Sequence, residues 1–192
     1  MDTMDNKKRI FKMLHVAIGL APKVVAYYDA DKKSKIDIYI GADRPDFGIT
    51  TYSTIGLSEH RIGLTNASDE DIRVEFISIC NSSVSDFANV LATCAFNILN
   101  DNYSCRPGTV YPDILNEYYD GLEMEHIYFT TPFLWDNLES IKTDNKIVVW
   151  LMAIPVSSNE LDYLKENGAD ALEDLFEKSN IDVFDIGRKS VV

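Results

Sequence analysis

The 192-residue chain is 46% hydrophobic and 11% aromatic, which suits a folded core and is too apolar for a disordered chain. No uncharged apolar run approaches about 18 residues, so the sequence predicts no membrane span. The net charge is −13, and residues 109–192 hold 17 acidic side chains against 6 basic ones. This acidity argues against direct binding of nucleic acid, because phosphate binding needs a basic surface. It suits either a basic protein partner or a surface that is simply well solvated.

The N-terminal segment has the spacing of an amphipathic helix over about residues 5–20. Its apolar side chains recur every three or four positions and are expected to face the core: Ile10, Phe11, Leu14 and Ile18. Asp5 is the expected cap, and Gly19 with Pro22 should end the helix. Because the apolar residues are spaced and no small-residue cleavage site follows, we predict a helix of the mature protein and not a signal peptide.

Four or five strands with short turns are predicted next. Residues 24–28 and 35–41 have the β-branched, alternating composition of a hairpin. Residues 72–80 alternate apolar and polar side chains, which predicts a strand with one half-buried face. A succession of strands joined by short turns indicates an antiparallel sheet.

A long helix and two further strands follow. Residues 83–101 carry a broad apolar stripe, and Ser83 with Asp86 resembles a capping pair at the start of the helix. Strands are predicted at residues 126–133 and 146–156. The second is nearly continuous in apolar residues, which indicates burial on both faces.

Two short helices are predicted near the C-terminus. Ser157 and Glu160 have the spacing of a capping box for a helix over residues 157–168, and Gly168 suits its end. A second helix is expected at residues 169–179, and the remaining residues should form a strand or an ordered tail. The order of strands, helix, strands and helices predicts an α+β fold, with a mostly antiparallel mixed sheet and helices packed on it. No internal repeat or linker is visible, so we expect a single domain over residues 1–192.

The stretch TTYSTIGLSEH, residues 50–60, raises the question of a catalytic nucleophile, since a cluster of hydroxyl side chains precedes His60. A nucleophilic serine usually lies on a strained turn, as in the GxSxG motif, which the sequence lacks. Nothing in the spacing identifies His60 as a base for Ser53, whereas Thr and Tyr are typical strand residues. We therefore interpret the stretch as a β-strand.

Other catalytic and cofactor motifs also lack support. Two-metal nucleases use loop carboxylates, and the loops of this chain offer Asp43, Asp46, Asp113 and Asp120. No second motif accompanies these aspartates, and no phosphate-binding loop is present. The cysteines do not cluster with histidines and are predicted to be buried thiols in a reducing, cytoplasmic setting: Cys80, Cys94 and Cys105. The sequence therefore predicts no enzyme, no metal site and no cofactor.

A series of stretches, taken in order, carries a family resemblance. These stretches are TTYSTIGLSEH, RVEFISIC, a long helix at 86–100, RPGTVYPD, HIYFTTPF, LMAIPVSSNELDYLKENGADALEDLFEK and IDVFDIGRKSVV. Together they resemble the suppressor-of-fused (SUFU-like) domain family from about residue 24 to residue 192. The apolar strand that ends in Pro155, followed by Ser-x-x-Glu-Leu-x-Tyr, is the most specific of them. The resemblance implies a SUFU-like fold.

The resemblance also implies an immunity role. Small bacterial SUFU-like proteins accompany LXG-type nuclease toxins of polymorphic toxin systems, and they bind and silence a cognate toxin. A basic nuclease, with DNase as the expected activity, would therefore be the partner. The acidic side chains of the two C-terminal helices are the candidate contacts, and a merely solvated helix face is the alternative: Glu160, Asp162, Glu166, Asp170, Glu173, Asp174 and Glu177. Aromatic residues that could anchor a partner or fill the core are Tyr118, Tyr119, Phe133 and Trp135.

Two rival functions stay open from the sequence. The first is a non-enzymatic regulatory module in which a sheet edge captures a peptide segment of another protein. It differs from charge-steered toxin binding by a weaker dependence on salt. The second is an enzyme that uses the loop aspartates, which metal-dependent hydrolysis, abolished by Asp→Asn changes, would reveal. The sequence leaves the oligomeric state open.

Overall fold

A computed structural model of the chain describes residues 3–19, 21–143 and 146–192. The helices and strands of these residues, in chain order, are α1 (Thr3–Ile18), β1 (Lys23–Tyr28), β2 (Lys35–Ala42), β3 (Ile49–Ile55), β4 (Leu64–Thr65), β5 (Asp71–Asn81), α2 (Phe87–Asp101), β6 (Val110–Tyr111), β7 (Met124–Thr130), β8 (Ile141–Lys142), β9 (Lys146–Ser157), α3 (Ser158–Asn167) and α4 (Ala169–Ser179). Short 3-10 helical turns lie at Leu57–Glu59 and Leu115–Glu117. The predicted hairpin, central strands and C-terminal helix pair are all present.

The strands form one sheet in the order β1–β2–β3–β5–β9–β7–β6, with β4 beside β5 and β8 beside β9. The pairings are antiparallel except that of β5 with β9, where Val74 lies beside Val149 in parallel register. This mixed, mostly antiparallel sheet with helices packed on it confirms the predicted α+β class.

The two faces of the sheet are covered by different helices. Side chains alternate along a strand, so Ile36 and Ile38 of β2 point to one face and Tyr39 points to the other. The first face packs against α2, whose Leu91 is 1% exposed. The second face packs against α1, whose Leu14 is fully buried. The sheet is thus a middle layer between two apolar clusters.

The central strand β5 is buried on both faces, so the expectation of one half-buried face is wrong. Arg73 and Glu75, the polar residues of the alternation, are 9% and 0% exposed. The turn that follows β3 covers them, because Glu75 accepts hydrogen bonds from the backbone N–H groups of Gly56 and Ser58 at 2.9 and 3.0 Å. Arg73 donates to the carbonyl of Glu59 at 2.8 Å. The alternation of apolar and polar residues could not reveal that the turn after β3 buries Arg73 and Glu75.

The N-terminal helix begins earlier than expected. It starts at Thr3, so Asp5 lies in its first turn and not at its cap. It ends at Ile18 before Gly19, which has a φ of 113° and adopts the left-handed conformation that favours glycine. Residue 20, the predicted last position, lies outside the described residues. Phe11 is 37% exposed, so only part of the predicted apolar stripe is buried.

The second helix begins later than expected. It starts at Phe87 rather than at residue 83, and Asp86 precedes it with a φ of 65° and no side-chain capping bond. The proposed capping pair of Ser83 and Asp86 is therefore wrong. The apolar stripe itself is confirmed, because most of its side chains are buried: Phe87, Val90, Leu91, Cys94, Ala95 and Ile98.

The C-terminal third also follows the predicted order. The strand β9 is buried over residues 150–157, which confirms burial on both faces. Residues 180–192 form an ordered tail of turns rather than a strand. The tail is fastened to the sheet, since Asn81 N–H donates to the carbonyl of Phe184 at 3.0 Å and Ile186 is 5% exposed in the main core.

The cysteines are buried free thiols, as the sequence predicts. Burial raises the pKa of Cys80 and Cys105 to about 12, and it raises that of Cys94 as well. A thiol that stays protonated at neutral pH is a poor nucleophile and a poor metal ligand. These cysteines belong to the packing of the core.

Candidate partner-binding surface

The helix pair α3–α4 starts with the predicted capping box. Ser157 Oγ accepts from the N–H of Glu160 at 3.1 Å, and Glu160 Oε2 accepts from the N–H of Ser157 at 3.1 Å. Gly168, with a φ of 88°, separates the two helices. Leu172 and Phe176 of α4 then pack with Tyr128 of β7 in a small apolar cluster. With this packing, the acidic residues of both helices other than Glu160 are exposed to solvent.

Glu160 is the exception, and the expectation that it is exposed is wrong. Its side chain is 0% exposed and forms a bidentate ion pair with Arg188 of the C-terminal tail. Arg188 Nη1 donates to Glu160 Oε1 at 2.6 Å, and Nη2 donates to Oε2 at 2.8 Å. The N–H of Val191 also donates to Glu160 at 3.2 Å. Glu160 thus fastens the tail to the start of α3 and is not on the surface. The capping box was the signal for this, because it turns the carboxylate toward the helix terminus.

The other candidate acids form an exposed surface that we call the acidic helical surface: Asp162, Glu166, Asp170, Glu173, Asp174 and Glu177. Those of α4 are spaced three and four residues apart and therefore share one side of the helix. Two lysines lie among them, with Lys165 at 2.8 Å from Asp162 and Lys178 at 3.9 Å from Asp174. The surface keeps a clear excess of negative charge.

Glu173 is held in a fixed position on this surface. Its Oε1 accepts hydrogen bonds from the hydroxyls of Tyr128 and Thr130, each at 2.6 Å. Burial, together with the carboxylate of Glu173, raises the pKa of Tyr128 well above its usual value. The tyrosine therefore remains a donor to Glu173 at neutral pH.

An apolar groove of about 660 Å³ lies beside Glu173. It is lined by the end of β7 and residues 131–134, by the last turns of α4 and by residues 180–184. We call it the α4 groove. Its buried lining includes Ile154 and Phe176, and Glu173 and Glu177 of the acidic helical surface also line it.

Only one of the predicted aromatic anchors is mainly exposed. Phe133 is 58% exposed and lines the α4 groove, whereas Trp135 is 7% exposed inside the α1 cluster. Tyr118 and Tyr119 are half-buried, and their hydroxyls bond to Thr93 Oγ1 and the carbonyl of Ser85. The structure therefore brings Phe133 together with the acidic residues and places the other three aromatics in structural contacts.

The sheet offers a second surface at its open edge. β1 is the terminal strand of the sheet order, and β2 is the strand that pairs with it in the described part of the chain. Val24 and Tyr28 on β1 are 46% and 55% exposed. Such an edge presents backbone groups that can pair with another strand.

Residues 50–55 of the hydroxyl-rich stretch lie in β3, as predicted, whereas Leu57–Glu59 form a 3-10 turn after the strand. Ser53 Oγ donates to the carbonyl of Phe76 at 2.7 Å, and Thr54 Oγ1 donates to the Glu75 carboxylate at 2.6 Å. Burial, together with the positive charge of Arg73, lowers the pKa of His60. The hydroxyls of this strand are therefore occupied in structural hydrogen bonds.

A histidine–serine contact elsewhere does not have the proton arrangement of a nucleophile. Asp113 N–H donates to His126 Nδ1 at 2.9 Å, so the ring hydrogen lies on Nε2. His126 Nε2 is 3.1 Å from Ser158 Oγ and therefore donates to it, and Ser158 in turn donates to Glu125. A base must accept the serine proton. In this arrangement the imidazole offers Ser158 a hydrogen and no lone pair.

The loop aspartates are dispersed. Asp43 and Asp46 lie between β2 and β3. Asp113 and Asp120 lie between β6 and β7, at the opposite end of the sheet. Within residues 3–19, 21–143 and 146–192, no group of three or more His, Cys, Asp or Glu side chains is placed to hold a metal ion.

In those same ranges no helix combines the length and apolarity that a membrane crossing requires.

The family follows from comparison with known proteins. The family model described as Suppressor of fused protein (SUFU) matches residues 32–189. The chain therefore belongs to the suppressor of fused family. It is 43% identical to Immunity protein YqcF of Bacillus subtilis (strain 168), and the match covers all of both chains.

Solved structures share the fold at low sequence identity. A SUFU homologue from Neisseria gonorrhoeae FA 1090 superposes with a TM-score of 0.74, at 17% identity and 98% coverage of both chains. A chain of the Sufu–Fu complex gives a TM-score of 0.68 at 13% identity, over 97% of this chain and 92% of that one. Drosophila Suppressor of Fused gives 0.55 at 14% identity, over 82% of this chain and 43% of that chain.

Proposed function

We propose that this protein is an immunity protein that neutralises a cognate toxin by stoichiometric binding. The observation that carries the proposal is the 43% identity to an immunity protein over the full length of both chains. The toxin would be an LXG-type nuclease, with DNase activity, of a bacterial polymorphic toxin system. The immunity protein would act in the cytoplasm, without catalysis and without a cofactor.

The acidic helical surface supports a basic partner. A nuclease that binds a polyanion presents basic groups around its active site, and Asp162, Glu166 and Asp170 are exposed to meet such groups. Electrostatic complementarity of this kind raises association rates and excludes wrong partners. The inhibitor would then cover the cleft or a surface beside it.

The direct test is protection of growth. The C-terminal domain of the toxin encoded beside this gene is expressed in a bacterium with and without this protein. We expect rescue of growth, and a one-to-one complex of the two purified chains on size exclusion. A toxin domain from a different system serves as the specificity control. Undiminished toxicity in the presence of soluble, folded protein would contradict the proposal for that pair.

A second candidate is a regulatory module that captures a peptide at the open edge of β1. The exposed side chains of Val24 and Tyr28 favour it, as does the side of β1 that pairs with no strand in the described residues. Hydrogen exchange of this protein with and without its bound partner, whether toxin or peptide, separates the two candidates. Strand addition protects the backbone amides of β1, whereas binding at the acidic helical surface protects α3 and α4.

A further inference from the structure

The α4 groove exposes aromatic surface that water solvates poorly. Its volume of about 660 Å³ lies in the range of about 300–1,000 Å³ that is typical of binding pockets. Phe133, Phe176 and Phe184 line it, and Phe133 is 58% exposed. Concave sites lined by aromatic and apolar side chains with a few polar groups at the edge are typical of binding sites.

The edge of the groove is negatively charged. Glu173 and Glu177 lie one helical turn apart on α4, and both line the groove. In the described residues, neither carboxylate forms an ion pair within 4.0 Å. Glu173 is oriented in advance, because Tyr128 and Thr130 both donate to its Oε1. Aromatic surface next to unpaired carboxylates is complementary to a cation that is weakly hydrated and flat.

We propose that the α4 groove receives an arginine side chain of the cognate toxin, with an apolar neighbour packed on Phe133. This inference rests on the proposed function and specifies where the partner binds. A guanidinium stacks on aromatic rings and forms paired hydrogen bonds to carboxylates, whereas the lysine ammonium is compact and strongly hydrated. The chain already contains this arrangement, since Arg188 lies 5.4 Å from the ring centroid of Phe176 while paired with Glu160.

The test is the affinity of groove variants for the catalytically inactivated toxin domain. Phe133→Ala and Glu177→Gln are each expected to weaken binding about tenfold or more, which corresponds to about 1.4 kcal/mol and is typical of a residue at the centre of an interface. The matched controls are Phe47→Ala, an exposed phenylalanine in another loop, and Glu139→Gln, an exposed glutamate outside the groove. Both controls should stay within about twofold. Far-ultraviolet circular dichroism checks the fold of each variant.

A photo-crosslinking amino acid at position 133 identifies the occupant. We expect it to capture a toxin peptide that contains an arginine, whereas the same amino acid at position 47 should capture none. Replacing that arginine by methionine in the toxin should weaken binding to the unmodified protein. The same replacement should add little to the defect of Glu177→Gln, because the two groups form one interaction.

The outcomes separate this inference from the proposed function. If the unmodified protein binds the toxin but the groove variants bind equally well, the groove inference is wrong and immunity stands. A crosslinked peptide without arginine also overturns it. If the unmodified protein does not bind the toxin at all, the proposed function and the groove inference fail together.

Discussion

The buried ion pair of Glu160 and Arg188 decides how the C-terminal tail is held. Arg188 donates to both carboxylate oxygens of Glu160 and to the carbonyl of Pro155 at 2.9 Å. We predict that Arg188→Ala destabilises the protein by about 3–5 kcal/mol, because it leaves a buried carboxylate without its partner. Urea unfolding measures the loss.

The neighbouring residue provides the control for this prediction. Lys189 is 87% exposed at its side chain and pairs with Glu123 at 3.2 Å, so Lys189→Ala should change stability by less than about 0.5 kcal/mol. A double change of Arg188→Met with Glu160→Gln removes both charges and should recover part of the loss. Equal stability of Arg188→Ala and the unmodified protein would contradict the structural role of the pair.

The lowered pKa of Asp37 makes the stability of the protein depend on pH. Burial raises its pKa, but hydrogen bonds from Lys35 and Lys7 outweigh burial, and the pKa is lowered. The folded pKa is below the unfolded one, so the stabilisation is complete above about pH 4 and is lost as pH falls through the folded pKa.

The variant Asp37→Asn therefore has a pH-dependent defect. We expect a loss of about 1 kcal/mol at neutral pH that shrinks below about pH 4, because the unmodified carboxylate is then protonated too. Thermal unfolding of both proteins across this range measures it. Asp31→Asn is the control, since Asp31 is 68% exposed and pairs only with Lys33 in the described residues. A defect that is constant with pH would show that charge is not the cause.

Among the helices and strands, α1 lies outside the family match, and its packing shows whether such a segment belongs to the core. The family match begins at residue 32, after α1 and β1. Leu14 is nevertheless fully buried, and it packs in the cluster that contains Tyr39 and Ile77. We predict that Leu14→Ala costs about 2–5 kcal/mol, because a core leucine leaves a cavity.

The same helix supplies the control residue. Val16 is 62% exposed, so Val16→Ala should change the free energy of unfolding by less than about 0.5 kcal/mol. Chemical denaturation of the two variants compares them directly. If Leu14→Ala is as stable as Val16→Ala, α1 does not contribute to the cooperative core.

Much of this element order was predictable because its signals are local. The alternation of Ile36, Ile38 and Ile40 and the capping box of Ser157 identify a strand and a helix start without reference to the rest of the chain. The parallel pairing of β5 with β9 has no such signal. It joins residues 71–77 to 146–152, and only tertiary packing selects that register.

The candidate site was predictable in composition and not in geometry. The acidic residues of α3 and α4 were visible in the sequence, and most are exposed. The burial of Glu160 depends on Arg188, which is 28 residues away, and the exposure of Phe133 depends on a groove formed by three separate segments. Contacts between distant segments leave no periodic trace in one sequence.

The charge of the whole molecule should affect the rate at which the toxin binds. If the acidic helical surface steers association, the association rate should fall strongly between low and physiological salt, because the Debye length shortens to about 8 Å. Neutralising four of its residues outside the groove should lower the association rate, flatten its salt dependence and leave dissociation nearly unchanged: Asp162→Asn, Glu166→Gln, Asp170→Asn and Asp174→Asn.

A control with the same change in net charge separates local from global effects. It replaces four exposed aspartates far from α3 and α4 in the sequence: Asp31→Asn, Asp46→Asn, Asp69→Asn and Asp101→Asn. Stopped-flow association across a salt series compares the two variants. If both slow association equally, the total charge of −13 is responsible and the acidic helical surface has no special part. An association rate that is insensitive to salt and to both variants would instead favour strand addition at β1, in which backbone hydrogen bonds rather than charges hold the partner.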